Sequence, residues 1–312
     1  MAERSGKNRR RSSRKDSKSA GPREYGKKLR GNKKSADNAK KGAVSDKKHQ
    51  KQRKKFVPNT AKPPERSTDE EIRLNKFIAH AGVCSRRDAD TLIEEGKVSV
   101  NDKVVTEMGV KVRPSDRVRV NGQRIQLEPF VYLLMNKPSD TITTTDDEND
   151  RKTVIDLVDK ATGQRLYPVG RLDRNTTGVL LLTNDGDLAN RLMHPSYKVK
   201  KVYEVATNRV LNDEEVEQMI SGIPLEDGEA HAKQIKRDSG DPRIFEMVLE
   251  EGRNRQIRRM IEFFGAQVEK LKRSQYAGLT VKGVKPGRWR ALRRNEVLGL
   301  RRMVKLDPLD FN

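Results

Sequence analysis

The charge of this 312-residue chain is distributed unevenly, and this limits which part of it can fold. Residues 1 to 66 contain 24 Lys and Arg against 6 Asp and Glu, whereas residues 67 to 312 contain 43 against 39. The first segment has almost no large apolar side chain beyond Tyr25, Leu29, Val44 and Phe56. Burial therefore cannot offset the entropy lost on ordering it. We expect residues 1–70 to be a disordered basic tail.

A tail of this composition favours a phosphate backbone as its partner, with an affinity that falls as salt rises. A solubilising tail or a targeting signal is the alternative. The sequence has no signal-peptide apolar region and no run of 18 apolar residues, which argues against a secreted or membrane-spanning protein. Cys84 is the only cysteine, so an internal disulfide is excluded and a reducing, cytoplasmic location is expected. The four histidines are far apart, so we expect no metal site.

Residues 71–125 have the pattern of a small domain with two helices and a few short strands. Leu74, Phe77 and Ile78 form the start of one apolar helix face, which Gly82 ends. Ser85 and Asp88 have the spacing of a capping box at the start of a second helix, which ends at Gly96. The alternating segments "KVSVNDKVV" and "DRVRVNGQRI" predict strands, the second with a tight hairpin at Asn121-Gly122.

Residues 72 to about 125 resemble the S-four type RNA-binding domain, a module attached to many RNA-modifying enzymes. In that family the second helix and the following turn contact RNA. Each matching residue could equally be a solvated surface group, but the "SRR" at a helix start could bind one phosphate through backbone N–H and guanidinium groups. The resemblance implies these RNA-binding residues: Arg73, Lys76, Ser85, Arg86, Arg87, Lys97 and Asn101.

Residues 130–300 have longer strand and helix signals, followed by a C-terminal tail at 301–312. Apolar runs predict strands in "VYLLMNKP", in Val179 to Leu182, in "KKVYEVAT" and in "RIFEMVLEEG". Helices are predicted in "DLANRLM", in "NDEEVEQMISG" with a capping box at Asn212 and Glu215, and in "NRQIRRMIEFFG". Strands outnumber helices and alternate with them. We therefore predict an α+β domain with a mixed, largely antiparallel sheet.

Asp173 lies in the segment "GRLDRNTTGVLLLTNDG", just before the apolar strand. A carboxylate at this position can be a turn or capping residue that forms a salt bridge. It can also be a nucleophile or base that is paired with an arginine. Spacing by itself does not distinguish these two interpretations.

Three segments together resemble the RsuA/RluB/RluE/RluF family of ribosomal RNA pseudouridine synthases over residues 72 to 300. They are "NKP" at 136–138, "GRLDRNTTGVLLLTNDGDLANRLMHPSYKVKKVYEV" from residue 170, and "EGRNRQIRRMIEFFG" at 251–265. The segments "LMHPS", "IPLEDG" at 223–228 and "PGRW" at 286–289 are most similar to the RluB branch, which acts on the large ribosomal subunit. One departure is the loop 139–150, where many relatives have a glycine that this chain lacks.

The resemblance implies that Asp173 is the catalytic carboxylate, either as a nucleophile at the sugar or as the base that removes a ribose proton. It implies that Tyr203 stacks on the target base and removes the C5 proton, and that Arg258 pairs with Asp173. A core tyrosine and a surface arginine are the alternatives for the last two. Second-tier candidates for contacts with the RNA are Asn136, Lys137, Arg171, Asn254 and Arg255.

The sequence thus predicts a monomeric cytoplasmic enzyme that isomerises a uridine of ribosomal RNA, with the large subunit as the expected source, and that needs no cofactor. A small-subunit target is one alternative. Another is a ribosome assembly factor whose RNA binding matters more than its catalysis.

Overall fold

The computed structural model describes residues 70–159 and 161–309. The predicted basic tail lies outside the described residues, apart from Glu70. In residues 70–159 and 161–309, no helix is long and apolar enough to cross a bilayer. The same residues contain no group of three or more His, Cys, Asp or Glu side chains arranged to hold a metal ion.

The first domain, which resembles the S-four type and which we call the S-four domain, contains two short helices and six short strands. Leu74, Phe77 and Ile78 are buried, which confirms the predicted face of the first helix. The Ser85 hydroxyl accepts a hydrogen bond from the Asp88 N–H at 3.2 Å, and the Asp88 carboxylate accepts one from the Ser85 N–H at 3.3 Å. The predicted capping box is therefore confirmed. The elements are β1 (Ile72–Arg73), α1 (Leu74–His80), α2 (Arg86–Glu94), β2 (Val98–Val100), β3 (Lys103–Val104), β4 (Lys111–Val112), β5 (Val118–Val120) and β6 (Gln123–Arg124).

Four of these strands form a small antiparallel sheet in the order β3-β2-β5-β6, and β1 pairs with β4. The hairpin between β5 and β6 turns at Asn121 and Gly122, whose φ angles are 49° and 77°. Positive φ at both central residues is the geometry that an Asn-Gly turn supplies at low cost. The sequence prediction of this hairpin is confirmed.

The larger domain follows a short connection. Its capping box at Asn212 and Glu215 is present as predicted. Its elements are β7 (Tyr132–Lys137), β8 (Tyr167–Pro168), β9 (Thr177–Thr183), α3 (Gly186–Met193), a 3₁₀ turn (Pro195–Tyr197), β10 (Lys201–Thr207), α4 (Asp213–Ser221), β11 (Ile223–Leu225), β12 (Gly228–Ala230), β13 (Gln234–Arg237), β14 (Ile244–Leu249), α5 (Gln256–Glu262), β15 (Val268–Tyr276), β16 (Leu279–Thr280), β17 (Trp289–Ala291) and α6 (Arg294–Met303).

One nine-stranded sheet organises this domain. Its main order is β13-β14-β10-β15-β9-β7-β17, with β16 beside β15 and β8 beside β9. Among the strands that the structure describes in this sheet, β15 and β9 are parallel and the other pairs are antiparallel. The prediction of an α+β fold with a mixed, mainly antiparallel sheet is confirmed.

Strands β7 and β9 each contain a continuous apolar run, Tyr132 to Met135 and Val179 to Leu182, because both faces of the sheet are covered there. Leu133 and Met135 belong to one core, whereas Tyr132 and Leu134 belong to the core on the other face. This alternation follows from the two-residue period of a strand. The same period places alternate side chains of β10 and of β15 on one face of the sheet.

Strand β15 was not among the sequence predictions. Its exposed positions carry Lys270 and Lys272, and its buried positions carry Leu271 and Arg273. A cation on the buried face removes the apolar alternation on which strand recognition depends.

Helix α6 crosses residue 300, where the sequence analysis placed the start of a C-terminal tail. Arg301 is buried and donates to the Asp185 carboxylate at 2.8 Å, and the Tyr132 hydroxyl donates to the same carboxylate at 2.8 Å. Val304 and Leu309 pack into the adjacent core. Residues 301–309 are thus attached to the domain, because a buried ion pair and two apolar side chains hold them there.

Candidate active site

The loop between β8 and β9 carries Asp173 and is anchored at both ends. The buried Leu172 forms two backbone hydrogen bonds with the Thr143 hydroxyl, donating at 3.3 Å and accepting at 2.9 Å. The Thr176 N–H donates to the Asp173 carbonyl at 3.0 Å, which closes a turn around residue 173. The carboxylate projects into a cavity with about a third of the side chain exposed.

Lys137 supports this loop from below. Its side chain is fully buried, and its Nζ donates to four carbonyl oxygens, those of Pro138, Asp173, Arg174 and Thr176, at 2.8–3.1 Å. Burial lowers the pKa of Lys137 to about 8, against the attraction of Asp173 and Asp140. The sequence analysis placed Lys137 among RNA-contacting residues; the structure places its side chain fully buried beneath the loop, where it does not line the cavity.

Arg258 reaches Asp173 from helix α5. Its Nε lies 3.7 Å from Asp173 Oδ2, and its Nη1 donates to the Val268 carbonyl at 3.2 Å. The two charges attract each other at this distance without a hydrogen bond, so the carboxylate oxygens stay available to a ligand. Arg255, just before the helix, has a left-handed φ of 46°, an uncommon conformation that turns the chain toward the cavity.

The floor of the cavity is one face of strands β10 and β15. Tyr203 is opposite Arg273 in the ladder, and Lys201 is opposite Tyr276, with an irregularity in register between the two pairs. All four side chains line the cavity. Burial lowers the pKa of Lys201 to about 8 and raises that of Tyr276 to about 12. Tyr203 is 8% exposed, so most of its ring is covered and only a small part meets the cavity.

The cavity encloses about 630 Å³, within the range of pockets that take a nucleotide-sized ligand. Arg171, Asn254 and Arg255 line it beside the three predicted catalytic residues. Asn136 does not line it, because its side-chain amide donates to the Val284 carbonyl at 2.7 Å and holds a neighbouring loop.

The predicted RNA-binding residues of the S-four domain do not all have their side chains available. Lys76 forms a salt bridge to Asp187 at 2.8 Å, and Lys97 forms one to Glu95 at 2.7 Å. Asn101 occupies a left-handed turn and bonds Asp116 at 3.0 Å. Arg73, Arg86 and Arg87 are exposed, and Ser85 caps α2.

A second cavity of about 480 Å³ lies between the S-four domain and the larger domain. We call it the junction cleft. Among the residues that line it are Lys76, Ser85 and Arg86 from the first domain and Arg165 and Met193 from the second.

Sequence reasoning missed two cations of the active-site floor, Lys201 and Arg273. Lys201 comes two residues before Tyr203, so the strand period could have placed both on one face. Arg273 lies in the strand that was not predicted. Its Nε donates to the Val179 carbonyl at 2.8 Å, and its guanidinium stacks over Tyr276 at 4.6 Å from the ring centre.

Comparison with protein families identifies both domains. Residues 131–263 match the family described as RNA pseudouridylate synthase. Residues 72–118 match the S4 domain family. The fold and the cavity therefore define an RNA-modifying enzyme, an isomerase of uridine, with an attached RNA-binding domain.

The chain belongs to the RsuA/RluB/RluE/RluF family of pseudouridine synthases. It is 47% identical to ribosomal large subunit pseudouridine synthase B of Bacillus subtilis, over 74% of this chain and 96% of the relative. It is 37% identical to the dual-specificity RNA pseudouridine synthase RluF of Escherichia coli K12, over 76% of this chain and 81% of the relative. A crystal structure of a pseudouridylate synthase superposes with a TM-score of 0.53 at 26% identity, covering 73% of this chain and 99% of that one.

Proposed function

We propose that the enzyme isomerises one uridine of large-subunit ribosomal RNA, with Asp173, Tyr203 and Arg258 as its catalytic residues. The cavity is the observation that supports these catalytic residues. The Asp173 carboxylate, the facing Arg258 guanidinium and the Tyr203 ring come from three separate elements and line the same space. The relative named for the large subunit supports the choice of RNA.

In the proposed reaction the N1–C1′ bond of a flipped uridine breaks, and its electron pair remains on the uracil N1. Asp173 either attacks C1′ or removes a ribose proton, and both steps suit a carboxylate that no hydrogen bond occupies. The uracil then turns and C5 bonds to C1′, while the bond from Asp173 to C1′ breaks or, in the second case, the ribose regains the proton from Asp173. The C5 proton then leaves and N1 gains one. The product is an isomer of the substrate, so the net reaction consumes no oxidant, nucleotide or cofactor.

Arg258 is suited to hold the Asp173 carboxylate in position through these steps, because a guanidinium stays charged when buried. Tyr203 is suited to stack on the uracil and to accept the C5 proton. Arg171, Asn254 and Arg255 line the rim, where their groups can bind the phosphates that flank the target. Lys137 positions the loop and is not proposed to contact RNA.

Release of tritium from RNA labelled at uridine C5 tests this proposal. Transcripts of large- and small-subunit RNA are assayed separately with the wild type, Asp173→Asn and Asp140→Asn. Asp140 is a matched control, because it is an exposed aspartate that does not line the cavity, although its salt-bridge partner Arg174 does. We expect release from the large-subunit RNA alone, abolished by Asp173→Asn and retained by Asp140→Asn.

Release from small-subunit RNA alone would contradict the choice of substrate and keep the chemistry. If the Asp173→Asn variant rescued growth of a strain that lacks the enzyme, RNA binding during ribosome assembly would be the main role. An Asp173→Asn variant that still releases tritium would refute the catalytic assignment.

We further propose that the enzyme acts as a monomer in the cytoplasm and that the tail preceding residue 71 anchors RNA. The single cysteine supports a reducing compartment, and the strongly basic composition of the tail supports binding to a phosphate backbone. Deletion of residues 1–66 should weaken RNA binding and reduce its dependence on salt, with the rate of the bound complex little changed. An unchanged salt dependence would argue against an RNA-binding tail.

A further inference from the structure

Met193 is unusually exposed for its helix. It is the last residue of α3, and 45% of its surface is exposed, whereas Leu188 and Leu192 of the same helix are fully buried. Single exposed apolar residues are common on protein surfaces, so exposure alone assigns no role. The position of Met193 is what distinguishes it.

Met193 lies between the two cavities. Of the residues that line the active-site cavity and the junction cleft, it alone belongs to both. It also packs beside the catalytic loop, since a methyl group placed on Gly170 would lie 3.8 Å from the Met193 Cγ. Met193 thus lies where the Asp173 pocket and the junction cleft adjoin.

The backbone that carries Met193 is held firmly. The Tyr276 hydroxyl donates to the Leu192 carbonyl at 3.1 Å, which ties the end of α3 to the cavity floor. The His194 N–H donates to the Asn190 carbonyl at 3.0 Å, and Pro195 prevents the helix from continuing. An unbranched, polarisable side chain on a fixed base can adapt to an irregular apolar surface.

Cationic groups flank this position on both sides. Arg171 lines the active-site cavity and Arg165 lines the junction cleft. Neither guanidinium forms a salt bridge with a carboxylate in residues 70–159 and 161–309. They are placed to bind phosphates on either side of Met193, which would bring the bases between those phosphates against the thioether.

We propose that Met193 is a wedge that fills the space left in the RNA stack when the target uridine enters the cavity. Removing a base from a helix leaves its neighbours unstacked, and proteins that distort nucleic acids insert apolar side chains at such steps. The wedge therefore favours the flipped state of a uridine that starts inside a paired stem. This inference rests on the proposed function, because it explains how the target uridine leaves its stem and enters the Asp173 cavity.

The test uses two stem-loop RNAs labelled at the target C5, one with the target uridine paired and one with it in an unpaired bulge. Met193→Ala should slow single-turnover tritium release about tenfold to thirtyfold on the paired stem and less than threefold on the bulged one. Met193→Leu should keep most of the wild-type rate. Met303→Ala is the matched control, because Met303 is also 45% exposed and lines neither cavity.

A second measurement separates this inference from the proposed function. Fluorescence of 2-aminopurine placed beside the target reports unstacking in a complex that does not react, formed with Asp173→Asn. The signal should rise with Asp173→Asn and fall to the level of unbound RNA when Met193→Ala is added. The wedge would be refuted if Met193→Ala slowed the reaction equally on both stems, or if the substitution left the fluorescence unchanged. Absence of tritium release with the wild type would refute the proposed function alone.

Discussion

Replacing Lys137 with methionine distinguishes support of the catalytic loop from contact with RNA. Methionine has similar length and no charge or donor, so the substitution removes all four hydrogen bonds from Nζ to the loop carbonyls. The ammonium has three N–H donors, which the four carbonyls share, and bonds from a charged donor contribute about 1.5 kcal/mol each at the low end, or about 4.5 kcal/mol together. The Lys137→Met variant loses this contribution to the free energy of unfolding.

Burial of the charge opposes that loss. Desolvation lowers the pKa of Lys137 from 10.5 to about 8. This pKa shift corresponds to a free-energy cost of about 3 kcal/mol for keeping the buried Lys137 ammonium charged. Methionine carries no charge and does not have this cost. The free energy of unfolding should therefore fall by about 1.5 kcal/mol. For a domain of this size the melting temperature should fall by about 3–6 °C.

Activity should fall more than RNA affinity. A small misplacement of a catalytic group can cost about a hundredfold in rate, so we expect a kcat about a hundredfold lower, with an RNA dissociation constant within about twofold of the wild type. Thermal denaturation, tritium release and filter binding measure these quantities. Lys236→Met, at an exposed lysine of β13, is the control. A Lys137→Met variant with unchanged stability and weakened RNA binding would refute the loop-support role and restore the sequence-based assignment.

Three further predictions follow from the same geometry. Gly178→Ala should cost more than about 3 kcal/mol of unfolding free energy in urea, because a Cβ there would lie 2.2 Å from the Arg273 carbonyl at a φ of 103°. The control Gly163→Ala has open space and should change it by less than about 0.5 kcal/mol. Burial lowers the pKa of Lys201 to about 8, so the folded chain releases this proton before the unfolded chain does. The wild type should then gain stability relative to Lys201→Met as pH rises from about 8 to 10, and a difference that is constant over this range would contradict the buried charge. Arg258→Lys should lower kcat about a hundredfold while leaving the melting temperature nearly unchanged, since the charge remains but the guanidinium geometry facing Asp173 is lost; an unaffected kcat would exclude Arg258 from the site.

Much of the local structure could be predicted from the sequence. The capping boxes at Ser85 and Asn212 and the Asn121-Gly122 turn each depend on side chains within four residues of one another. The apolar run at Val179 to Leu182 requires a strand covered on both faces. Such features follow from backbone geometry and from the burial of apolar groups, which are visible in a short window of sequence.

The resemblance to a family brought Asp173, Tyr203 and Arg258 together as candidates, but patterns in the residues alone left each of them with an ordinary structural alternative. A carboxylate in a loop, a tyrosine in a strand and an arginine on a helix have the same local signals whether or not they meet. Their convergence depends on the order of strands in the sheet and on where α5 packs.

The sequence by itself determined helices α1 to α5, about half of the strands, the two capping boxes, the Asn121-Gly122 turn and the two-sided burial of the central strands, because these depend on neighbours along the chain. The tertiary structure alone decided that Lys137 points beneath the catalytic loop, that Arg273 and Lys201 lie on the cavity floor, and that Met193 separates two cavities. Each of these depends on groups far apart in sequence. The environment of a side chain depends on the elements that pack around it. The local sequence pattern does not indicate which elements these are.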